Sequence, residues 1–220
     1  MFHIELSYYL LEMDVRWTHP FTAIISGPSS CGKTYFLLRF IESIEHMITP
    51  IPEEVVYCYS EYQPIFNQFK QKGVVFNEGI PEVDDWTNNK RRLVIIDDLM
   101  HEADERITRL FTKISHHRSM SVIQVVQNIF SKNKEQRTIS LNSHYLVIFK
   151  NPRDKSQIIN LGKQIYPGQS EFVREAFKSA TATPNSYILF DLRQETSDQL
   201  RLRANIFPGE LHTVFVPRRG

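Results

Sequence analysis

The chain has 220 residues, of which 41% are hydrophobic and 23% charged, with 26 basic and 25 acidic side chains. This composition is typical of one folded domain and excludes a disordered chain or a fibrous repeat. Two cysteines are too few for a disulfide framework or a four-cysteine zinc site, which favours a reducing compartment. The N-terminal segment has no basic leader, and no apolar run approaches the ~20 residues of a membrane helix. We therefore expect an intracellular protein that is not secreted and has no membrane partner.

Short β-branched runs alternate with helical stretches along most of the chain, which is typical of a parallel sheet covered by helices. The predicted strands of this part are 21–27, 54–60, 74–78, 93–98, 121–127 and 145–150. The predicted helices are 33–47, 64–72, 104–115, 155–165 and 170–179. Asp154 precedes the fourth of these helices and is a candidate N-cap, with Gln157 three positions further on.

The C-terminal part changes character, because three predicted strands follow one another without helices between them: 187–192, 202–207 and 212–216. We interpret these strands as an antiparallel edge on the same sheet, and a small separate subdomain is the alternative. The prediction is one α/β domain over residues 1–220, with a core at about 15–165 and a C-terminal β extension at about 185–217.

A phosphate-binding motif, GxxxxGK[ST], lies between the first predicted strand and the first predicted helix. Its residues are Gly27, Pro28, Ser29, Ser30, Cys31, Gly32, Lys33 and Thr34. In such a loop the backbone N–H groups and the helix N-terminus surround phosphate. Lys33 is expected to bridge the β- and γ-phosphates of ATP, and Thr34 to ligate Mg²⁺. A glycine turn that binds nothing is the alternative. Cys31 is expected to be a small filler, although a thiol beside phosphate could make the site sensitive to oxidation.

Two adjacent acids end the predicted strand LVIIDD. Asp97 is expected to be the carboxylate that holds Mg²⁺ opposite the Thr34 hydroxyl. Asp98 is expected to orient and deprotonate the attacking water, because an NTPase must activate water; the alternative is that it caps the next helix or solvates a strand end. The following strand ends on Gln127, which would lie near the γ-phosphate and sense hydrolysis if that strand lies between the other two.

Four segments in this order, GPSSCGKT, LVIIDDLM, SVIQVVQN and YLVIFKNPRDKSQIINLGKQIYPG, resemble the viral genome-packaging ATPases of the FtsK–HerA superfamily. The resemblance covers about residues 15–217 and is nearest to the compact form of poxvirus-like viruses, Polinton/Maverick elements and adintoviruses. It implies a P-loop NTPase fold of the RecA-like, additional-strand type. It also implies an ATP-driven homo-oligomeric ring, a pentamer or hexamer, that moves double-stranded DNA into a preformed capsid at its vertex proteins.

The resemblance places the protein in the host cell interior, in the nucleus or cytoplasm, or in association with the virion. It assigns Lys33 and Thr34 to phosphate and Mg²⁺, Asp97 to Mg²⁺, Asp98 to water and Gln127 to sensing. Members of the superfamily often have Glu where this chain has Asp98, so the shorter side chain puts the rate of hydrolysis in question.

Ring ATPases complete each site with an arginine from the neighbouring subunit, which neutralises charge that develops on the γ-phosphate. Arg118, at the end of the predicted helix 104–115 and before the next strand, is the first candidate for this role. Arg153, after the strand 145–150, is the second. The alternative is that either arginine binds its own chain or a DNA phosphate.

Basic residues are concentrated in one part of the chain. Residues 113–163 hold nine basic and two acidic residues and therefore carry +7, although the whole chain carries +1. A predicted loop at 131–137, with Lys132, Lys134 and Arg137, is the expected contact for the DNA backbone, without sequence readout. A solvated basic face is the alternative. Two other functions stay open, namely a DNA helicase or pump of the same superfamily and a nucleotide-dependent switch or scaffold that is not a motor.

Overall fold

A ten-stranded sheet organises the protein, and a computed structural model describes residues 2–4, 14–81, 90–99, 105–114, 119–130 and 134–217. The strands are β1 (Phe2–Ile4), β2 (Trp17–Thr18), β3 (Thr22–Ser26), β4 (Ile48–Thr49), β5 (Glu54–Tyr59), β6 (Val75–Glu78), β7 (Arg92–Asp97), β8 (Met120–Val126), β9 (Tyr145–Phe149), β10 (Tyr187–Asp191), β11 (Leu202–Ala204) and β12 (Thr213–Val216). Their order across the sheet is β1-β12-β11-β10-β9-β3-β8-β7-β5-β6, while β2 and β4 form a separate parallel pair.

Seven α-helices are found in the described residues, together with one π-helical and one 3₁₀ segment. The helices are α1 (Lys33–Glu42), α2 (Ile44–Met47), α3 (Phe66–Gln71), α4 (Glu105–Arg109), α5 (Lys134–Leu141), α6 (Ser156–Ile165) and α7 (Ser170–Ala180). The π-helical segment Leu110–Ile114 continues α4, and the 3₁₀ turn Asp198–Leu200 precedes β11. None of the helices in the described ranges is both long and apolar enough to cross a membrane.

Six strands, from β9 through β3, β8, β7 and β5 to β6, are parallel to one another. Strands such as β7 read as continuous apolar runs because helices cover both faces of the sheet. Ile95 packs on one face, together with residues of α1 and α3, and Ile96 packs on the other, together with residues of α4 to α7. The predicted α/β class with a mostly parallel sheet between helices is thereby confirmed.

The C-terminal strands extend the same sheet. Strand β10 pairs antiparallel with β9 from Tyr187 opposite Phe149 to Asp191 opposite Tyr145, and β11, β12 and β1 continue the antiparallel part. In β11 the buried Arg203 donates hydrogen bonds to an Asp191 carboxylate oxygen at 2.9 Å and to the Val15 carbonyl at 2.8 Å. The predicted antiparallel edge on the same sheet is confirmed.

The loop predicted at 131–137 is wrong in its second half, because helix α5 begins at Lys134. One face of α5 is buried through Ile139 and Gln136, and the Gln136 side chain exchanges two amide hydrogen bonds of 3.2 and 3.3 Å with Gln124 of β8. A buried glutamine occupies a position where sequence periodicity would place an apolar residue. The helical pattern is therefore hidden in the sequence. Residues 131–133, including Lys132, lie outside the described residues.

Candidate active site

The motif Gly27–Thr34 forms a loop between the end of β3 and the start of α1, as predicted. Two of its residues have left-handed backbone conformations, Ser30 with φ 62° and Gly32 with φ 104°. A Cβ atom at Gly27 would lie 2.6 Å from the Cys31 Sγ and 2.7 Å from the Phe149 Cβ, so only glycine fits there. Alternating backbone conformations of this kind turn successive N–H groups towards one point and form an anion-binding concavity.

The N-terminus of α1 is open towards this loop. The helix has no acidic residue in its first turn, and no side chain of the described residues caps it; its first hydrogen bond runs from the Phe36 N–H to the Gly32 carbonyl at 2.9 Å. The N–H groups of Lys33, Thr34 and Tyr35 consequently have no partner within the helix. Together with the positive end of the helix dipole, these groups favour a bound anion.

Lys33 lies across the loop. Its ammonium donates to the carbonyls of Gly27 at 2.6 Å and Pro28 at 2.9 Å. An ammonium has three N–H donors, so one remains for a phosphate oxygen. The half-buried Thr34 hydroxyl makes no hydrogen bond to the described residues and can ligate a metal ion. The loop therefore fits the triphosphate of a nucleotide with Mg²⁺.

Cys31 is half-buried, and burial raises the pKa of its thiol, while the nearby Lys33 lowers it. A thiol with a raised pKa carries little of the reactive thiolate at neutral pH. Its sulfur occupies the space next to Gly27. These features agree with a small residue that fills the loop and weigh against a site that is readily oxidised.

Asp97 ends β7 at the same edge of the sheet as the phosphate loop. Its carboxylate accepts a hydrogen bond of 2.6 Å from the hydroxyl of Tyr57 in the neighbouring strand β5. Burial raises the pKa of Asp97, and Asp98 raises it further, while Tyr57 and Lys33 lower it. A carboxylate at this position can hold Mg²⁺ at the end of the sheet where the phosphate loop lies.

Asp98 follows at once and is exposed, with a left-handed backbone at φ 53°. This conformation is uncommon for residues other than glycine and is tolerated best by asparagine and aspartate. Strained backbone of this kind concentrates at functional sites. An exposed carboxylate in this position, directly after Asp97, is compatible with the role predicted for Asp98, which is to orient and deprotonate the attacking water.

Gln127 is exposed and directly follows β8, and β8 lies between β3 and β7 in the sheet. The Gly27 N–H donates to the Val126 carbonyl at 3.1 Å, so the start of the phosphate loop and the end of β8 are bonded to each other. The strand order that the sensor hypothesis requires is therefore present.

The segment after β9 is held by Asp154. Its carboxylate accepts hydrogen bonds from the Asn128 side chain at 3.1 Å, the Gln157 side chain at 3.2 Å, and the Ser156 backbone at 3.1 Å. The prediction of Asp154 as the N-cap is wrong by one residue, because α6 begins at Ser156 and Lys155 is its N-cap, although the Asp154 carboxylate still accepts hydrogen bonds from the first turn. Arg153 is exposed next to this anchor, whereas Arg118 lies outside the described residues.

Exposed basic side chains are present in the described part of the basic window. They are Lys134, Arg137, Lys150, Arg153, Lys155 and Lys163. Lys134 and Arg137 are three residues apart on α5 and therefore lie on one side of that helix. Lys134 and Arg137, which were predicted in a loop, therefore lie on a helix.

Sequence patterns missed two residues of the site, one beside Asp97 and one beside the loop. Tyr57 lies in an ordinary apolar strand, and only the pairing of β5 with β7 brings its hydroxyl to Asp97. Asn185, at φ 60°, lies so close to the loop that its Cβ would be 3.1 Å from a Cβ at Gly32. A Pro-Asn-Ser turn signal before β10 is visible in the sequence, but its distance from the loop is not.

The strand order and the loop together define a P-loop NTPase fold with an additional strand between β3 and β7. No protein-family model matches the sequence, and no curated protein matches it. Solved structures with detectable similarity include the flagellar accessory protein FlaH from Methanocaldococcus jannaschii, at 14% identity and a TM-score of 0.41, which covers 62% of this chain and 75% of FlaH.

The N-terminal domain of zonular occludens toxin from Neisseria meningitidis is 10% identical, with a TM-score of 0.39. This similarity covers 62% of this chain and 80% of the toxin chain. The cytoplasmic domain of the Type VII secretion ATPase EccC from Thermomonospora curvata is 9% identical, with a TM-score of 0.48, and covers 91% of this chain and 24% of that one. All three TM-scores are below 0.5, so these similarities carry no argument about function.

Proposed function

We propose that the protein is an ATP-hydrolysing motor of the FtsK–HerA superfamily that moves double-stranded DNA into a preformed viral capsid. The observation that carries the ATPase part is that the phosphate loop with Lys33 follows β3 and that Asp97 and Asp98 lie at the end of β7, at the same edge of the parallel sheet. The capsid, its vertex proteins and the location in the host cell interior or virion are proposed on the resemblance of the four sequence segments.

In the proposed reaction, the loop N–H groups and Lys33 hold the phosphates, and Thr34 and Asp97 hold Mg²⁺. The ion would neutralise part of the charge on the β- and γ-phosphates. Asp98 accepts a proton from water while the water oxygen attacks the γ-phosphorus. The bond from that phosphorus to the bridging oxygen breaks, which releases ADP and phosphate. Gln127 lies at the strand end beside the loop, where its amide can report the presence of the γ-phosphate.

The proposed DNA contact uses two exposed basic side chains of α5, Lys134 and Arg137, with Lys132 beside them in sequence. Phosphate contacts from lysine and arginine bind duplex DNA without reading its sequence. A homo-oligomeric ring, a pentamer or hexamer, would surround the duplex, and Arg118 or Arg153 would reach the γ-phosphate of the neighbouring subunit.

ATP turnover measured with and without duplex DNA tests this function. We expect hydrolysis that duplex DNA stimulates, and a loss of at least about 100-fold in Asp98→Asn, which should still bind Mg-ATP. Rings in negative-stain images with DNA and an ATP analogue would support the motor. Nucleotide binding without turnover would contradict it and favour the switch or scaffold. Stimulated turnover with unwinding of the duplex would favour the helicase.

Mixing two inactive variants tests the arginine from the neighbour. Arg118→Ala keeps its own loop and acids, and Asp98→Asn keeps its arginine, so mixed rings should recover part of the ATPase activity. Background activity at every mixing ratio, with assembly confirmed by light scattering, would exclude Arg118. The same experiment with Arg153→Ala would then decide whether Arg153 supplies the charge.

A further inference from the structure

Two strands, β9 and β10, lie on the side of the phosphate loop that faces away from Asp97 and Asp98. Strand β8, which Gln127 follows directly, and strand β7, which ends on Asp97, lie on one side of β3, and β9 and β10 lie on the other. In the proposed function the γ-phosphate lies next to Lys33 and Asp97. The nucleoside at the other end of the triphosphate then leaves the loop on the side of β9 and β10.

The segment before β10 reaches this edge of the sheet because β10 runs antiparallel. Tyr187, its first residue, pairs with Phe149, the last residue of β9, and Ile148 pairs with Ser26 at the end of β3. The ring of Tyr187 packs edge-on against the ring of Phe36 in the first turn of α1, with centroids 4.8 Å apart. This contact holds the start of β10 against the start of α1.

Asn185 and Tyr35 flank that contact, two residues before Tyr187 and one before Phe36. Asn185 is exposed, and a Cβ at Gly32 would lie 3.1 Å from its Cβ and 3.5 Å from its Oδ1. Gly32 thus leaves the space in which the Asn185 side chain lies against the loop. The amide of Asn185 makes no hydrogen bond to the described residues and retains both donor and acceptor for a ligand.

Tyr35 is 60% exposed, although its neighbours Phe36 and Leu37 are buried. One turn further along the same side of α1, Arg39 donates to Glu210 at 2.6 Å and lies over the Phe207 ring at 4.2 Å. That turn is therefore covered by the C-terminal segment, whereas the ring of Tyr35 in the turn next to the loop is uncovered. An exposed aromatic face in this place offers a surface on which a base can stack.

We propose that Tyr35 and Asn185 form the nucleoside subsite of the loop, in which the Tyr35 ring stacks on the base and the Asn185 amide hydrogen-bonds the nucleoside. The subsite rests on the proposed function, because it requires a triphosphate in the loop. Its ligand class is a nucleoside triphosphate, as opposed to an inorganic polyphosphate. The test also distinguishes two other roles. Tyr35 would contact a neighbouring subunit, or Asn185 would serve only because asparagine tolerates a left-handed backbone.

The test compares the binding of ATP and of inorganic tripolyphosphate, both with Mg²⁺, by calorimetry on the full chain. Tyr35→Ala should weaken ATP binding by about 10- to 100-fold, the range of base–aromatic stacking, and leave tripolyphosphate binding unchanged. Tyr35→Phe keeps the ring and should bind ATP within about threefold of the wild type. Asn185→Gly accepts the positive φ and should weaken ATP binding alone by about 2- to 10-fold.

Two variants serve as matched controls. Leu141→Ala removes another exposed apolar side chain, at the end of α5, and Asn205→Gly removes another asparagine with a positive φ of 53°. Neither should change the affinity for either ligand. Sedimentation of each variant shows whether assembly has changed.

Each outcome decides between the roles. A loss confined to ATP supports the subsite. Equal losses for ATP and tripolyphosphate would overturn it in favour of a distorted loop, and a loss of ATP binding that accompanies a loss of assembly would overturn it in favour of a subunit contact. Unchanged ATP binding in Tyr35→Ala and Asn185→Gly would overturn the subsite and leave the phosphate loop intact. If the wild type binds neither ligand, the proposed function itself fails, and the subsite fails with it.

Discussion

The hydrogen bond from Tyr57 to Asp97 should set the affinity of the site for Mg²⁺. Tyr57→Phe removes the hydroxyl that lies 2.6 Å from the Asp97 carboxylate, in a place where burial already raises the pKa of that acid. Burial also raises the pKa of Tyr57, so its hydroxyl remains a proton donor at any working pH. Residues that support a metal ligand in this way typically contribute 10- to 100-fold to metal affinity. We expect the Mg²⁺ concentration for half-maximal ATPase activity to rise by about that factor.

The fold should tolerate this substitution. The Tyr57 ring packs against Phe66, Phe69 and Phe76 with centroids 5.1 to 5.4 Å apart, and phenylalanine keeps those contacts. Asp97 is only half-buried, so water can replace the missing donor, and unfolding should become easier by about 1 kcal/mol.

The assay is a Mg²⁺ titration of ATP hydrolysis and of nucleotide binding at fixed pH. Tyr59→Phe is the matched control, because Tyr59 lies two residues further along β5 and its hydroxyl has no hydrogen bond to the described residues. Saturating Mg²⁺ should restore the turnover of Tyr57→Phe to nearly the wild-type rate. An unchanged Mg²⁺ midpoint would refute this role for Tyr57, as would a lower rate that excess Mg²⁺ does not restore.

Three further predictions concern the site, the basic surface and a half-buried histidine. Lys33→Ala should lose most of its affinity for ATP in a nucleotide titration, whereas Asp98→Asn should bind ATP and release phosphate at least about 100-fold more slowly; wild-type turnover in the latter would show that Asp98 is not the base. Alanine at both Lys134 and Arg137 should reduce the slope of log DNA affinity against log salt by about one for each DNA phosphate that the protein no longer neutralises, and an unchanged slope would place the DNA elsewhere. Burial lowers the pKa of His212 to about 4. The unfolded chain therefore takes up its proton first as the pH falls below 6.5, so about 2 kcal/mol of stability should be lost between pH 7 and 4.5. Urea unfolding of His212→Phe should lack that part of the loss, and an equal pH dependence in both proteins would contradict it.

The phosphate loop and the acids could be predicted from the sequence because each is a contiguous motif at the end of an apolar strand. Gly27, Lys33 and Asp97 need only the general rule that parallel strands end at one edge of a sheet. The parallel core and the antiparallel C-terminal strands follow from local patterns in the same way, since buried strands read as apolar runs whatever their neighbours are.

Features that depend on which strands become neighbours could not be predicted. The bond from Tyr57 to Asp97 needs the pairing of β5 with β7, and the approach of Asn185 to Gly32 needs β10 to run back along β9. The start of helix α5 could not be predicted for a related reason. Its buried Gln136 is satisfied by Gln124 of β8, a partner 12 residues away that no local pattern reveals.

The central claim, that the protein is a motor on double-stranded DNA, is tested most directly by displacement of a third DNA strand from a duplex. We expect the wild type to displace a triplex-forming strand when ATP and Mg²⁺ are present. The rate should fall with the length of duplex that precedes the triplex, and Asp98→Asn should displace none. ATP hydrolysis by the wild type without displacement on any duplex length would contradict the account.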